Sequence, residues 1–144
     1  KENIDCLNGL KVLLAEDNEI NQVIATELLN MKGVLVDIAS NGNEAVEAVK
    51  NKDYDVVLMD IQMPEKDGIS ATLELRADQR FKNLPIVAMT AHAMAGDRER
   101  SLKNGLNDHI TKPIDPDLLY ATLLKWGCPR NAKAAAQEHT PPAM

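Results

Sequence analysis

The sequence predicts a single α/β domain on a parallel sheet, and three observations carry that prediction. Short apolar runs alternate with amphipathic stretches along the chain, the pattern of repeated strand and helix units. Val56-Val57-Leu58-Met59 is apolar without a break, as a central strand covered on both faces requires. Strand and helix pairs follow one another from residue 10 to residue 127 with short connections, so one domain follows.

Lys11-Val12-Leu13-Leu14-Ala15 is the first strand. A helix begins at Asn18 or Glu19, with Ile20, Val23, Ile24, Glu27 and Leu28 at the helical period, and Gly33 stops it. Val34, Val36 and Ile38 alternate as a second strand whose other face is polar or small, which places it at a sheet edge. After Asn41-Gly42, the residues Ala45, Val46 and Val49 mark a second helix, and the run from Val56 then ends abruptly at Asp60. The Gln62-Met63-Pro64 loop leads through Asp67 and Gly68 to a third helix with Ile69, Leu73 and Leu75. Pro85 precedes a fourth strand, Ile86 to Met89. Asp97 to Lys103 is a charged, exposed fourth helix closed by Asn104-Gly105, and a short fifth strand surrounds Ile110. Asp115-Pro116-Asp117 starts the last helix with a cap, a proline at the first helical position and an acid against the helix dipole. That helix runs through Leu118, Leu119, Leu123 and Leu124 to Trp126. Residues 1–9 read as an N-terminal linker, and residues 128–144, poor in large apolar side chains and ending near a proline pair, as a linker or tail.

Composition narrows the function classes. With 16 Lys+Arg against 22 Asp+Glu and a net charge of -6, the chain lacks the cationic surface that direct nucleic-acid binding uses. One Trp, two Tyr and one Phe give no platform for stacking bases. Cys6 and Cys128 lie near opposite ends and form neither a disulfide framework nor a metal knuckle, so a reduced, cytoplasmic setting is expected. No apolar run approaches the ~18 residues of a membrane span, and no membrane contact by this domain is expected. Opening on Lys1 rather than Met, with a linker-like end, agrees with excision from a longer chain.

In an open parallel sheet, ligands bind beyond the carboxyl ends of the strands, where the strand order reverses. The first strand ends at Glu16 and Asp17, the third at Asp60, the fourth at Thr90, and the fifth at Lys112 followed by Pro113. If the first and third strands are neighbours, three carboxylates and one ammonium converge on one edge. Three carboxylates side by side need a counter-charge, and Mg²⁺ suits them as a hard cation that takes oxygen ligands and shares phosphate oxygens. Asp60, at the end of the most buried strand, is placed to act as a nucleophile toward phosphorus. Lys112 can pair with a phosphoryl oxygen and the Thr90 hydroxyl can donate to another. Taken singly, each of these residues has a plain reading as a cap, a turn or a solvated charge. Asn18 and Asn21 read as helix-start residues, and the three histidines lack metal-ligand spacing.

The segment Leu14-Ala15-Glu16-Asp17-Asn18 with Asn21-Gln22, then Met59-Asp60-Ile61-Gln62-Met63-Pro64 with Asp67-Gly68, then Thr90-Ala91-His92-Ala93, then Lys112-Pro113-Ile114 resembles the receiver domain of two-component signalling. The resemblance covers residues 10–127. It implies a flavodoxin-like, doubly wound (βα)5 fold with five parallel strands in the order 2-1-3-4-5. It also implies that Asp60 accepts a phosphoryl group from a phosphohistidine, and that Glu16, Asp17, Asp60 and the backbone carbonyl of Gln62 hold Mg²⁺. Thr90 would swing toward the phosphoryl group, Lys112 would pair with it, and Lys112-Pro113 would be a cis peptide. His109 occupies the switch position, where Tyr or Phe is commoner, and Gln62 and His92 would tune the phosphoryl lifetime. The AEDNxxNQ and MDIQMP wording is similar to receivers fused to hybrid sensor histidine kinases. The implied partners are a histidine kinase, or its dimerisation and phosphotransfer domain, and a histidine phosphotransfer protein.

Two alternatives stay open on sequence alone. An Asp-nucleophile, Mg²⁺-dependent phosphohydrolase would want a second acid two residues after Asp60, where Gln62 stands. A phosphorylation-independent interaction module would not need all five of Glu16, Asp17, Asp60, Thr90 and Lys112. A nucleotide or flavin carrier would want a Gly/Ser/Thr-rich loop where Glu16-Asp17-Asn18-Glu19 would repel phosphate.

Overall fold

The structure, a computed structural model, describes residues 7–61, 63, 66–90, 103–112 and 114–127. The β-branched and aliphatic runs form β1 (Lys11–Ala15), β2 (Leu35–Ala39), β3 (Val56–Asp60), β4 (Ile86–Thr90) and β5 (Asp108–Thr111). They make one sheet in the order β2-β1-β3-β4-β5, with every neighbouring pair parallel. The order reverses at β1, which has β2 on one side and β3 on the other. β2 is an edge strand, as its half-polar pattern predicts.

Four helices are described: α1 (Glu19–Asn30), α2 (Gly42–Asn51), α3 (Gly68–Arg76) and α4 (Pro116–Trp126), with a short 3-10 turn at Gln79–Phe81. Each α-helix starts on a side chain that accepts a first-turn N–H. Asn18 caps α1, Asn41 caps α2, Asp67 caps α3 and Asp115 caps α4, so orphan donors at each helix start are satisfied. Gly33, at a φ of +81°, turns the chain out of α1 toward β2, a conformation that a side chain would strain.

Because β1, β3 and β4 are covered on both faces, their successive side chains feed two different cores. Val12, Leu14, Val56, Leu58, Val87 and Met89 pack against Ala25 and Leu29 of α1 and Leu119 and Leu123 of α4. Leu13, Ala15, Val57, Met59, Ile86 and Ala88 face the opposite way, against α2 and α3. The fold is therefore doubly wound, with the carboxyl ends of all five strands along one edge.

Three helix faces differ from the sequence expectation. In α1, Ile20, Val23 and Ile24 are exposed, and Ala25 and Leu29 are buried instead. At 3.6 residues per turn Leu29 lies on the side opposite Ile20, so the helix is turned about half a revolution from the expected orientation. The cause is local: Gln22, on the inward side, is pinned by its side chain to the Glu16 carbonyl, and the small Ala25 lets the helix approach the sheet. In α3, Leu73 is exposed while Ala71, Thr72 and Leu75 face the sheet; in α4, Leu118 is exposed and Thr122 is buried. The folded unit also begins before residue 10. Leu7 is fully buried in the α1 and α4 core, and the Gly9 N–H donates to the Gly33 carbonyl at 2.8 Å. A solitary leucine among polar neighbours carries no periodic signal, so sequence alone assigns it to the linker. Of the expected fourth helix, Asp97 to Lys103, all but Lys103 lies outside the described residues, as do residues 128–144.

Candidate metal and phosphoryl site

Parallel pairing brings the strand ends together. Leu14 sits opposite Leu58 and Ala15 opposite Met59, so Glu16 and Asp17, just beyond β1, lie beside Asp60 at the tip of β3. One carboxylate oxygen from each of Glu16, Asp17 and Asp60 falls within 4.8 Å of the others. Glu16 is 1% exposed and Asp60 4%, whereas Asp17 opens to solvent. The cluster is thus a pair of buried acids with one acid at the mouth.

Lys112 supplies the counter-charge within the chain. The Lys112 backbone N–H donates to the Thr90 carbonyl at 2.7 Å, which extends the β4–β5 ladder and aims the side chain back over the sheet edge. Its Nζ lies 2.8 Å from Glu16 Oε1 and 3.1 Å from Asp60 Oδ2. Burial disfavours the ammonium, but the hydrogen bonds and negative charges of Glu16 and Asp60 outweigh burial and hold the Lys112 pKa above its ordinary value. The ammonium is therefore the charged form at neutral pH.

Glu16 is restrained at nearly every polar atom. Its N–H donates to the Ala39 carbonyl at 2.9 Å, and its own carbonyl accepts from Gln22 Nε2 at 2.5 Å. Its Oε2 accepts from the Asn18 N–H at 3.1 Å and from Asn21 Nδ2 at 3.4 Å. Its Oε1 has the Lys112 charge but, among the described residues, no hydrogen bond of good geometry. A buried carboxylate oxygen with no hydrogen bond beyond the Lys112 charge, beside two further carboxylates, suits an oxygen-seeking divalent ion, so these residues fit Mg²⁺.

Thr90 ends β4 one position past Met89, the register partner of Asp60, and is buried. His109 lies across from Ala88 on β5, half-buried, with its Nδ1 buried and without a hydrogen-bond partner among the described residues. Gln62, His92 and Pro113 lie outside the described residues, so the carbonyl ligand, the tuning position and the cis peptide do as well.

Two further residues shape the surroundings of the site. Gly68, the first residue of α3, donates its N–H to the Ile61 carbonyl at 3.0 Å, and a Cβ there would overlap the Asp60 carbonyl. The Asp67-Gly68 pair was visible in sequence, but the close approach depends on where α3 begins. Arg76 lies in no motif or apolar period of the sequence. Its guanidinium donates to the carbonyls of Phe81 at 2.6 Å and Gly105 at 2.9 Å and to Asn107 Oδ1 at 2.8 Å, fastening α3 to the segment that enters β5.

The model of the response regulator receiver domain family matches residues 12–124. The chain is 45% identical over 120 residues to hybrid signal transduction histidine kinase I of Dictyostelium discoideum, a match covering 78% of this chain and 7% of that protein. The chain therefore spans a small fraction of that relative's length. The receiver domain of sensor histidine kinase PA1611 from Pseudomonas aeruginosa, crystallised with a magnesium ion coordinated in its active-site cleft, superposes with a TM-score of 0.77 at 40% identity, covering 82% of this chain and 97% of that one. The receiver domain of Ssk1 from Saccharomyces cerevisiae, solved as a co-crystal with the histidine phosphotransfer protein Ypd1, superposes with a TM-score of 0.80 at 32% identity, covering 85% and 92%. With its doubly wound sheet, its magnesium site of Glu16, Asp17 and Asp60 and a family match across nearly all of the folded core, the chain belongs to the response regulator receiver domain family.

Proposed function

We propose that Asp60 is the phosphoacceptor, that its donor is a phosphohistidine, and that the domain serves within a hybrid sensor histidine kinase on the cytoplasmic side. The observation that carries this reading is the position of Lys112 Nζ between Glu16 and Asp60, a single cation spanning the buried carboxylates at the strand ends. Mg²⁺, held by Glu16, Asp17, Asp60 and the Gln62 carbonyl, supplies positive charge to phosphoryl oxygens when bound. Every other part comes from the chain.

An Asp60 carboxylate oxygen attacks phosphorus. The new O–P bond forms as the N–P bond to the donor imidazole breaks; the electron pair stays on that ring nitrogen and, with a proton carried on the ring's other nitrogen, the ring leaves as neutral imidazole. Lys112 gives up its carboxylate partners and pairs with a phosphoryl oxygen, a charge-assisted contact that strengthens as charge develops. The Thr90 hydroxyl donates to a second oxygen, and the His109 ring follows into the space that Thr90 leaves. Gln62 and His92 tune how fast water removes the group. The domain thereby promotes only its own phosphorylation and dephosphorylation.

The donor is a histidine kinase or a histidine phosphotransfer protein. Supporting this, α1 begins two residues after Asp17 and carries Ile20, Val23 and Ile24 outward, Ile20 70% exposed and Val23 56%, so an apolar surface lies next to the mouth of the site. The test is incubation with acetyl phosphate and Mg²⁺ followed by intact mass measurement. Wild type gains the mass of one phosphoryl group and Asp60→Asn gains none; labelling of Asp60→Asn at the wild-type rate overturns the assignment.

A further inference from the structure

We propose that Asn21 and Gln22 are positioning residues for magnesium, which orient Glu16 while leaving its negative charge intact. This rests on the reading of Glu16, Asp17 and Asp60 as the metal site. A glutamate reaches one bond further than an aspartate and has one more torsion to restrain. Glu16 follows β1, beyond the last paired residue of the strand, so the sheet restrains its N–H but neither its carbonyl nor its side chain. The first turn of α1 supplies what the sheet does not.

Asn18 is the N-cap, and its side chain accepts the Asn21 N–H at 3.1 Å, which locks Asn21 at the third helical position. In a capping box the side chain at that position reaches back to the N-cap backbone N–H. Here the Glu16 carboxylate takes that N–H at 3.1 Å, and Asn21 Nδ2 turns to the same oxygen at 3.4 Å. The carboxylate thus sits at the positive end of the helix, with Oε2 held by two neutral donors. Gln22 Nε2 holds the Glu16 carbonyl at 2.5 Å from the next position.

The chemistry of the donors matters. Lys112 cancels the charge of Glu16, whereas amide groups direct the carboxylate without competing with a cation for it. When Lys112 leaves for a phosphoryl oxygen, Oε1 is freed toward Asp17 and Asp60 while Oε2 stays anchored. The Glu-Asp acidic pair and the Asn-Gln pair four and five residues after the aspartate are therefore one device: the longer acid requires the anchor.

The experiment follows Mg²⁺ binding to the whole chain by the amide chemical shifts of Asp17 and Asp60, and in parallel the Mg²⁺ dependence of labelling by acetyl phosphate. The variants are Asn21→Leu and Gln22→Met, close in shape but without donors, each alone and combined with Glu16→Gln. Partners that orient a ligand typically change metal affinity by 10-fold or more, so each single variant raises the half-saturating Mg²⁺ concentration about 10-fold. The labelling rate at saturating Mg²⁺ stays within about 2-fold of wild type, as for loss of binding rather than of chemistry. In the Glu16→Gln background neither substitution weakens Mg²⁺ further. Unchanged Mg²⁺ affinity in both variants, or a further loss on top of Glu16→Gln, overturns the proposal. The shift titration stands apart from phosphorylation: shifts that weaken as described in a chain that takes up no label support the positioning role and overturn the phosphoacceptor reading instead.

Discussion

Among single residues, Lys112 carries the counter-charge of the buried acids. Two buried carboxylates need a cation, and its ammonium meets both. Because its folded pKa lies above the unfolded value of ~10.4, its contribution is fully present below that pH and is lost as pH rises through the folded value. Lys112→Met leaves Glu16 and Asp60 without their counter-charge, which at pH 8 in chelator costs about 3 kcal/mol, the range seen when one partner of a buried pair is removed. Mg²⁺ then restores the missing charge, so added Mg²⁺ raises the melting temperature of Lys112→Met more than that of wild type. Equal shifts in thermal melts of the two proteins would show that lysine and metal do not share these carboxylates. Gly68 makes a steric counterpart. A methyl group there presses on the Asp60 carbonyl, so Gly68→Ala lowers stability by about 1 to 3 kcal/mol and slows labelling together. A urea midpoint and labelling rate both at wild-type values would refute the close contact.

At the scale of elements, α1 has two apolar sides and only the poorer one is in the core. Leu29 is fully buried, so Leu29→Ala costs about 2 to 5 kcal/mol through lost packing and the cavity left behind. Ile20→Ser and Val23→Ser change denaturant midpoints by no more than about 0.5 kcal/mol, because these side chains are already in water. The same two substitutions slow phosphoryl transfer from a histidine phosphotransfer protein while leaving labelling by acetyl phosphate unchanged. Equal rates from the protein donor in wild type and in the double variant would remove α1 from the docking surface. The exposed isoleucines and valine form an apolar patch that the core does not use.

For the whole molecule, the described core closes with α4. Gly127 packs its backbone against Leu10 and Val56, where a Cβ would come within 2.9 Å of both side chains. Trp126 Nε1 donates to Asp108 at 2.9 Å, joining the end of α4 to the start of β5. The Tyr120 hydroxyl donates to the Leu28 carbonyl at 2.7 Å, joining α4 to α1 across 92 residues of chain. A chain cut after Gly127 therefore unfolds within about 0.5 kcal/mol of the full chain and labels at the same rate. Loss of cooperative unfolding on truncation would place part of the core beyond residue 127.

Sequence alone determined the succession of strands and helices along the chain, the capped start of the last helix at Asp115 and the closing of strands by Glu16, Asp17, Asp60, Thr90 and Lys112, because these follow from local signals; the side-by-side placement of β1 and β3 came only with the family resemblance. An unbroken Val56–Met59 run, an Asp before a proline or an acid closing an apolar strand acts within a few residues. Tertiary structure alone decided which side of α1 is buried, since two apolar sides compete and the Gln22 contact with Glu16 selects between them. It also decided that Leu7 belongs to the core, that Arg76 fastens α3 to the approach to β5, and that Lys112 pairs with both Glu16 and Asp60. The Leu7, Arg76 and Lys112 contacts join residues far apart along the chain, and periodicity and spacing carry no record of them. They exist only once the parallel sheet has set its neighbours side by side.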